Sequence, residues 1–212
     1  MYEAIIFDLD GTLTEVIWPK KYYVQIKNQL LEKLFQLDVP ENLFSKIDMF
    51  YVIRSKVKKW AEKKHPDKVE FYINIVDEYI DKYGYLILKN SRPKQHLMEV
   101  LTYLKNKFKM GLFTFSSIEL TKRTLQKIRV QNFFDAIVAR NDVFNPKPHP
   151  DHLKKVIEVL NVKPQNVIVV GDSVYDYIPA RMLHITTILI NSKYRFKDVI
   201  HLENLRQLIE IL

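Results

Sequence analysis

Cysteine is absent from this 212-residue chain. Its absence excludes disulfides, thiolate catalysis and cysteine-based zinc sites. Glycine is scarce, with only four residues, so the places where it does occur carry information. No apolar stretch approaches the length of a membrane span. The N-terminus has no basic segment followed by a hydrophobic one. The expectation is a soluble, cytoplasmic protein with no membrane partner. Repeats and low-complexity tracts are also missing. What remains is a composition of 47% hydrophobic and 27% charged residues, which supports a packed core and argues against disorder. The length suits one domain with a substantial insertion, or two small domains. A formal charge of +8 admits anionic partners. Basic residues are nevertheless mixed with acidic ones along most helical stretches, and the densest cluster, Lys56 to Lys64, reads as a solvated helix face. Nucleic acid is not the expected partner.

Two textures divide the chain. From about Ile17 to Leu88 apolar residues recur at three- and four-residue spacing: Val24, Ile26, Leu30, Leu31, Leu34 and Phe35; Phe50, Ile53, Val57 and Trp60; Phe71, Ile75, Val76, Tyr79 and Ile80. This is the pattern of amphipathic helices, punctuated at Pro40 and Pro66. The aromatics among them are expected in the helical core. From Ser91 onward helices alternate with short apolar strands. Strands are expected at Met110–Phe115, Ala136–Ala139, Val167–Val170 and Thr187–Ile190. Helices are expected at Pro93–Lys107, Glu119–Arg129, Asp151–Leu160 and Leu202–Leu212. With the apolar run Ala4–Phe7 as first strand, the alternation predicts an α/β parallel sheet covered on both faces. The predicted organisation is a Rossmann-like core of residues 1–14 and 91–212, interrupted by an all-helical domain at 15–90.

The polar residues at the strand ends carry the chemistry. Asp8-Leu9-Asp10-Gly11-Thr12 follows the first strand. Side chains alternate along a strand, so Asp8 and Asp10 start on one side and can reach one pocket if the chain turns at Gly11. Ligands of open α/β sheets bind beyond the carboxyl ends of the strands, and a buried carboxylate pair calls for a compensating cation. The same tetrapeptide also suits a surface turn. Thr114 and Ser116 end the next strand, where a hydroxyl can bind phosphate or cap the following helix. In Asn145-Pro146-Lys147-Pro148-His149-Pro150, alternating prolines predict a stiff, extended segment presenting Lys147, with His149 as a spacer. Gly171-Asp172-Ser173-Val174-Tyr175-Asp176 places a second carboxylate pair one helical turn apart, in keeping with an oxygen-ligated magnesium site. Two of the four glycines, Gly11 and Gly171, stand beside these carboxylates.

Asp8-x-Asp10-Gly11-Thr12, Thr114, the Lys147-Pro pair and Gly171-Asp172-x-x-x-Asp176 together resemble, in order and strand context, the haloacid dehalogenase (HAD) superfamily. The resemblance spans nearly the whole chain, and the helical block resembles the C1 cap of its phosphoglycolate-phosphatase-like branch. It implies a Mg²⁺-dependent phosphatase acting on a small-molecule phosphate ester. Asp8 is then nucleophile and metal ligand, Asp10 the general acid/base that lends the metal its backbone carbonyl, and Asp172 a further ligand. Thr114 and Lys147 bind phosphoryl oxygens, and Asp176 orients Asp172 or metal-bound water. Dehalogenases of the superfamily generally lack the second aspartate, so Asp10 favours phosphoryl transfer. A phosphomutase and a non-catalytic binding module are the alternatives. One departure is Phe115, where the family often has Asn after the hydroxyl residue; the change bears on substrate fit. Trp18, Lys20, Lys21, Tyr22 and Arg54 are positioned in sequence where a cap residue could face substrate, although each also suits an ordinary surface or packing role.

Overall fold

The computed structural model describes residues 1–17 and 19–212. The chain divides into two compact units, Met1–Ile17 with Asn90–Leu212, and Trp18–Lys89.

The first unit is built on a six-stranded parallel sheet. Its strands are β1 (Ala4–Phe7), β4 (Lys109–Phe113), β5 (Ala136–Val138), β6 (Val167–Gly171), β7 (Thr186–Ile190) and β8 (Ile200–Leu202). Two short antiparallel strands, β2 (Thr14–Glu15) and β3 (Arg92–Pro93), pair beside it. The sheet order β5-β4-β1-β6-β7-β8 puts β1 in the middle. The chain leaves β1 toward one edge and later returns to build the other, so a crevice opens at the carboxyl end of β1.

Strand alternation explains why both faces are covered. Ile5 and Phe7 join one apolar cluster with Leu97, Leu101 and Leu104 of α4 (Leu97–Lys105), Leu125 of α5 (Ile118–Lys127) and Leu208 of α8 (Gln207–Ile211). Ala4 and Ile6 join the opposite cluster with Leu153, Val156 and Leu160 of α6 (Pro150–Leu160) and Ala180 of α7 (Val174–Met182). Nearly continuous apolar strands are what a sheet buried on both faces requires.

Several expected boundaries shift by a residue or two, and three of the differences are informative. The strand expected to reach Phe115 ends at Phe113. The helix expected from Pro93 begins at Leu97, because Arg92–Pro93 pairs with Thr14–Glu15 and His96 adopts a left-handed conformation at φ 62°. The helix expected from Leu202 is confined to Gln207–Ile211, because Ile200–Leu202 is captured by β7 as an edge strand. That pairing depends on a distant partner, which local periodicity does not reveal.

The second unit contains α1 (Lys20–Phe35), α2 (Phe50–Lys64) and most of α3 (Val69–Asn90). Ile26, Leu30 and Leu34 of α1, Ile53 and Val57 of α2, and Val76 and Ile80 of α3 are buried at the expected spacing. Tyr23, Phe50 and Tyr83 form an aromatic cluster with ring centroids 4.9, 5.2 and 5.9 Å apart. Val24 and Phe71 depart from the expected stripe and are about half exposed. Among the described residues, no helix is long and apolar enough to cross a membrane.

Candidate active site

The carboxyl end of β1 turns sharply. The Leu9 carbonyl accepts from both Leu13 N–H and Thr14 N–H, at 2.9 and 3.1 Å, and Gly11 N–H donates to the Thr14 carbonyl at 3.1 Å. Gly11 sits at φ +98°, a conformation side chains resist. A Cβ there would stand 2.2 Å from Asp172 Oδ2, so Gly11 also admits that carboxylate. Asp8 is held in line by its own N–H donating to the Val170 carbonyl at 2.9 Å.

Asp8, Asp172 and Asp176 offer carboxylate oxygens that all lie within 4.8 Å of one another. Lys147 enters this group, its Nζ donating to Asp8 Oδ1 and, at 2.8 Å, to Asp176 Oδ1. Thr12 Oγ1 donates to the other Asp8 oxygen at 3.2 Å. Asp8, Lys147 and Asp176 are almost wholly buried. Asp176 is saturated: its Oδ2 accepts from Asp172 N–H, Ser173 N–H and Ser173 Oγ at 3.2, 3.1 and 2.8 Å. The bond from Ser173 N–H is one half of a capping box at the start of α7, with Ser173 as N-cap. Gly171 permits the arrangement, since a Cβ on it would lie 2.4 Å from the Asp176 side chain. Asp172 differs: among the described residues no donor meets its carboxylate. It has valence to spare.

The electrostatics follow from burial. Burial pushes Asp8 well above the usual carboxylate range, and Asp176 and Asp172 add to the shift against the opposing pull of Lys147. Asp172 is pushed up to about 7, by burial first and Asp176 second. Burial alone would lower Lys147, but Asp176 and Asp8 override it and hold the ammonium charged. Three carboxylates thus face one ammonium. Two negative charges are left over when all are ionised, which a hard divalent cation with oxygen ligands would neutralise. The donor set therefore fits Mg²⁺.

Asp10 is brought to the same sheet end but bonded apart from the cluster. Its Oδ2 accepts from Ser116 Oγ at 2.8 Å, and burial raises its pKa while the Ser116 hydrogen bond opposes the rise. Thr114, buried at the end of β4, accepts the Ser116 N–H on its own hydroxyl at 3.1 Å. Neither Thr114 nor Ser116 caps the next helix; Ser117 does, accepting from Leu120 N–H. The hydroxyl-rich sequence signalled a site, but the link from Ser116 to Asp10 joins residues 106 positions apart.

The proline segment is less extended than expected. The Lys147–Pro148 peptide is cis, and His149 N–H donates to the Pro146 carbonyl at 3.1 Å, closing a turn. His149 caps α6, accepting from Asp151 N–H. The histidine that matters locally is His152, which accepts the Lys147 N–H on Nδ1 at 3.0 Å. A lone histidine inside an apolar helix face gave no signal of this. Arg54 is paired with Asp77 at 2.8 Å within the helical unit. Lys20 and Tyr22 begin α1, and Trp18 lies outside the described residues.

Comparison with known proteins bears on the family and the fold. A family model described as haloacid dehalogenase-like hydrolase matches residues 5–190. The chain is 27% identical over 185 residues to a pyrophosphatase PpaX of Bacillus cereus, covering 82% of this chain and 76% of that protein. Among solved structures, a β-phosphoglucomutase of Clostridium difficile superimposes with a TM-score of 0.67 at 22% identity, covering 98% of this chain and 93% of the other. A predicted phosphoglycolate phosphatase of Haemophilus somnus superimposes with a TM-score of 0.64 at 18% identity, covering 99% and 97%. At such identities the structural matches speak for the fold. With a family model matching residues 5–190, most of its length, the chain belongs to the haloacid dehalogenase-like hydrolases.

Proposed function

We propose that this protein is a Mg²⁺-dependent phosphatase that hydrolyses a small phosphorylated metabolite through an aspartyl-phosphate on Asp8. The observation that carries the reading is the division of labour between two aspartates. Asp8 lies in a carboxylate cluster with one ammonium, whereas Asp10 is bonded separately to Ser116. Asp8 and Asp172, with the Asp10 backbone carbonyl, would hold Mg²⁺. When bound, the ion neutralises the repulsion between an anionic nucleophile and an anionic phosphoryl group.

The residues then have distinct tasks. Asp176 anchors Lys147 and the Asp172 backbone, and Lys147 orients Asp8. Lys147 and Thr114 bind phosphoryl oxygens. A carboxylate oxygen of Asp8 attacks phosphorus, and the bond from phosphorus to the leaving oxygen breaks as Asp10 delivers its proton there. Asp10 subsequently removes a proton from water. The water oxygen bonds to phosphorus, the Asp8–phosphorus bond breaks, and inorganic phosphate leaves. A raised Asp10 pKa suits the acid half of this cycle. The helical unit serves as the cap that selects the substrate.

The test is hydrolysis of 4-nitrophenyl phosphate by the purified protein with Mg²⁺, with and without a chelator. Release of phosphate that the chelator stops, and that Asp8→Asn abolishes, is the expected result. Persisting turnover in the folded Asp8→Asn variant would sink the assignment of the nucleophile. Pyrophosphate and sugar phosphates belong in the same panel, where an isomerised sugar phosphate in place of free phosphate would make the protein a mutase.

A further inference from the structure

We propose that His152 is a positioning residue that sets the relative placement of Thr114 and Lys147, and through them the fit of the phosphoryl group. The inference rests on the phosphatase reading of those two residues. His152 is completely buried in α6, on the third residue of the helix. Its Nε2 lies 3.0 Å from the Val138 carbonyl oxygen. A carbonyl can only accept, so Nε2 carries the proton and Nδ1 is the lone-pair nitrogen. That nitrogen accepts the Lys147 N–H at 3.0 Å. The Val138 carbonyl also accepts the Thr114 N–H, at 3.3 Å.

One neutral imidazole therefore ties together backbones that reach the site by separate routes. Thr114 follows β4, whereas Lys147 comes from the segment between β5 and α6. The edge of the ring is held by Phe113, with ring centroids 5.7 Å apart. The same Phe113 presents its face to Lys147 Nζ at 4.5 Å and its carbonyl at 3.4 Å. Burial, with Lys147 nearby, drops the pKa of His152 to about 4 against the pull of its hydrogen bond to Val138, so the ring is neutral at neutral pH. A donor and an acceptor at opposite ends of one ring, each used on a chain segment that carries a site residue, make a ruler.

The experiment measures inorganic phosphate affinity in the presence of Mg²⁺ by calorimetry, together with kcat and KM for 4-nitrophenyl phosphate. His152→Leu, folded by circular dichroism, is expected to weaken phosphate binding and raise KM by about tenfold or more, as misplacement of a binding group does. His152→Asn restores an acceptor at the Nδ1 position and should recover most of that loss. In a Lys147→Met background, His152→Leu should add less than it costs alone, since only the route through Thr114 remains. Unchanged phosphate affinity in His152→Leu, equal losses in the Leu and Asn variants, or fully additive effects with Lys147→Met would each overturn the proposal. If the Leu variant does not fold, the Asn variant, which keeps the Lys147 bond, is expected to bind phosphate more tightly than His152→Gln, which keeps the Val138 bond; the reverse order overturns it. A wild-type protein that neither binds phosphate nor turns over would remove the phosphatase reading, and this inference with it.

Discussion

Each of the two units buries a lysine, and the two lysines are treated in opposite ways. In the helical unit Lys27 donates to the carbonyls of Lys46 and Asp48 at 2.7 and 2.6 Å. Its neighbours are mainly neutral acceptors, and burial lowers its pKa although Asp48 opposes the shift. In the α/β unit Lys147 donates to two carboxylates, and its pKa rises. Arg54 in the same unit is settled differently but also locally, one cation against one anion, Asp77. Buried charge in the helical unit is locally satisfied and holds a loop or a helix pair. The cluster around Lys147 in the α/β unit is left with a negative excess. Only the second arrangement invites a ligand.

The sharpest way to break that contrast is to remove each ammonium in turn. Lys147→Met is expected to lower kcat/KM for 4-nitrophenyl phosphate by about 10³-fold, the scale of losing a charge-stabilising donor. Lys27→Met should leave kcat/KM within a few-fold once folded, yet cost about 1–3 kcal/mol in urea unfolding, because one buried and one partly buried carbonyl lose their donor. Equal catalytic losses in the two variants would mean that the contrast is false. The next largest effect is expected at Gly11. Alanine there forces a Cβ against Asp172 Oδ2 at a positive φ. The Mg²⁺ concentration for half-maximal activity should rise roughly 10–100-fold, as when the support of a metal ligand is disturbed. An unchanged Mg²⁺ requirement would remove Asp172 from the ligand set.

The same contrast explains what could be read from the residues alone. Asp8, Asp172, Lys147 and Asp176 were legible because glycine, proline and alternating strands limit where such side chains can go. A carboxylate next to Gly11 or Gly171 in a glycine-poor chain is a local signal with a steric cause. Ser116 and His152 were not legible as partners of Asp10 and Lys147, since a hydroxyl near a helix start and a histidine in a helix each have commoner uses. The β7–β8 pairing was hidden for a related reason: Ile200–Leu202 is too short to announce a strand without its neighbour. In the helical unit the periodicity located the buried face, but Val24 and Phe71 show that periodicity does not tell which members of a stripe are covered.

The excess of negative charge also has a pH signature. Asp172 is raised from its ordinary value to about 7, and Asp8 is raised as well. A carboxyl whose folded pKa exceeds its unfolded one stabilises the fold fully below the unfolded value, and that contribution is lost as pH rises through the folded value. For Asp172 the window runs from about pH 4 to about pH 7. Metal-free protein should therefore lose stability across that interval, and Mg²⁺ should restore it where the carboxylates are ionised. The Tm increase on adding Mg²⁺ is expected to be several degrees larger at pH 8 than at pH 5, on the scale of about 1 kcal/mol for 4–8 °C in small domains and less in larger ones. A Tm increase independent of pH would show that these carboxylates do not take up the ion.

The smallest effect expected is at Ser116, and it separates the two aspartates most directly. Its hydroxyl donates to Asp10 Oδ2 at 2.8 Å and favours the ionised form, working against the burial that raises the pKa. Ser116→Ala removes the opposing influence, so Asp10 holds its proton to higher pH. In the proposed mechanism the acid form protonates the leaving oxygen, so the alkaline limb of the kcat/KM profile should move to higher pH. Turnover itself should fall only a few-fold, because the hydrogen bond orients Asp10 without taking part in the bonds that change. Among the described residues no hydrogen bond joins Ser116 to Asp8, so the Mg²⁺ requirement should stay as it is. A variant with a shifted Mg²⁺ requirement and an unmoved pH profile would place Ser116 with the metal cluster and undo the division between Asp8 and Asp10.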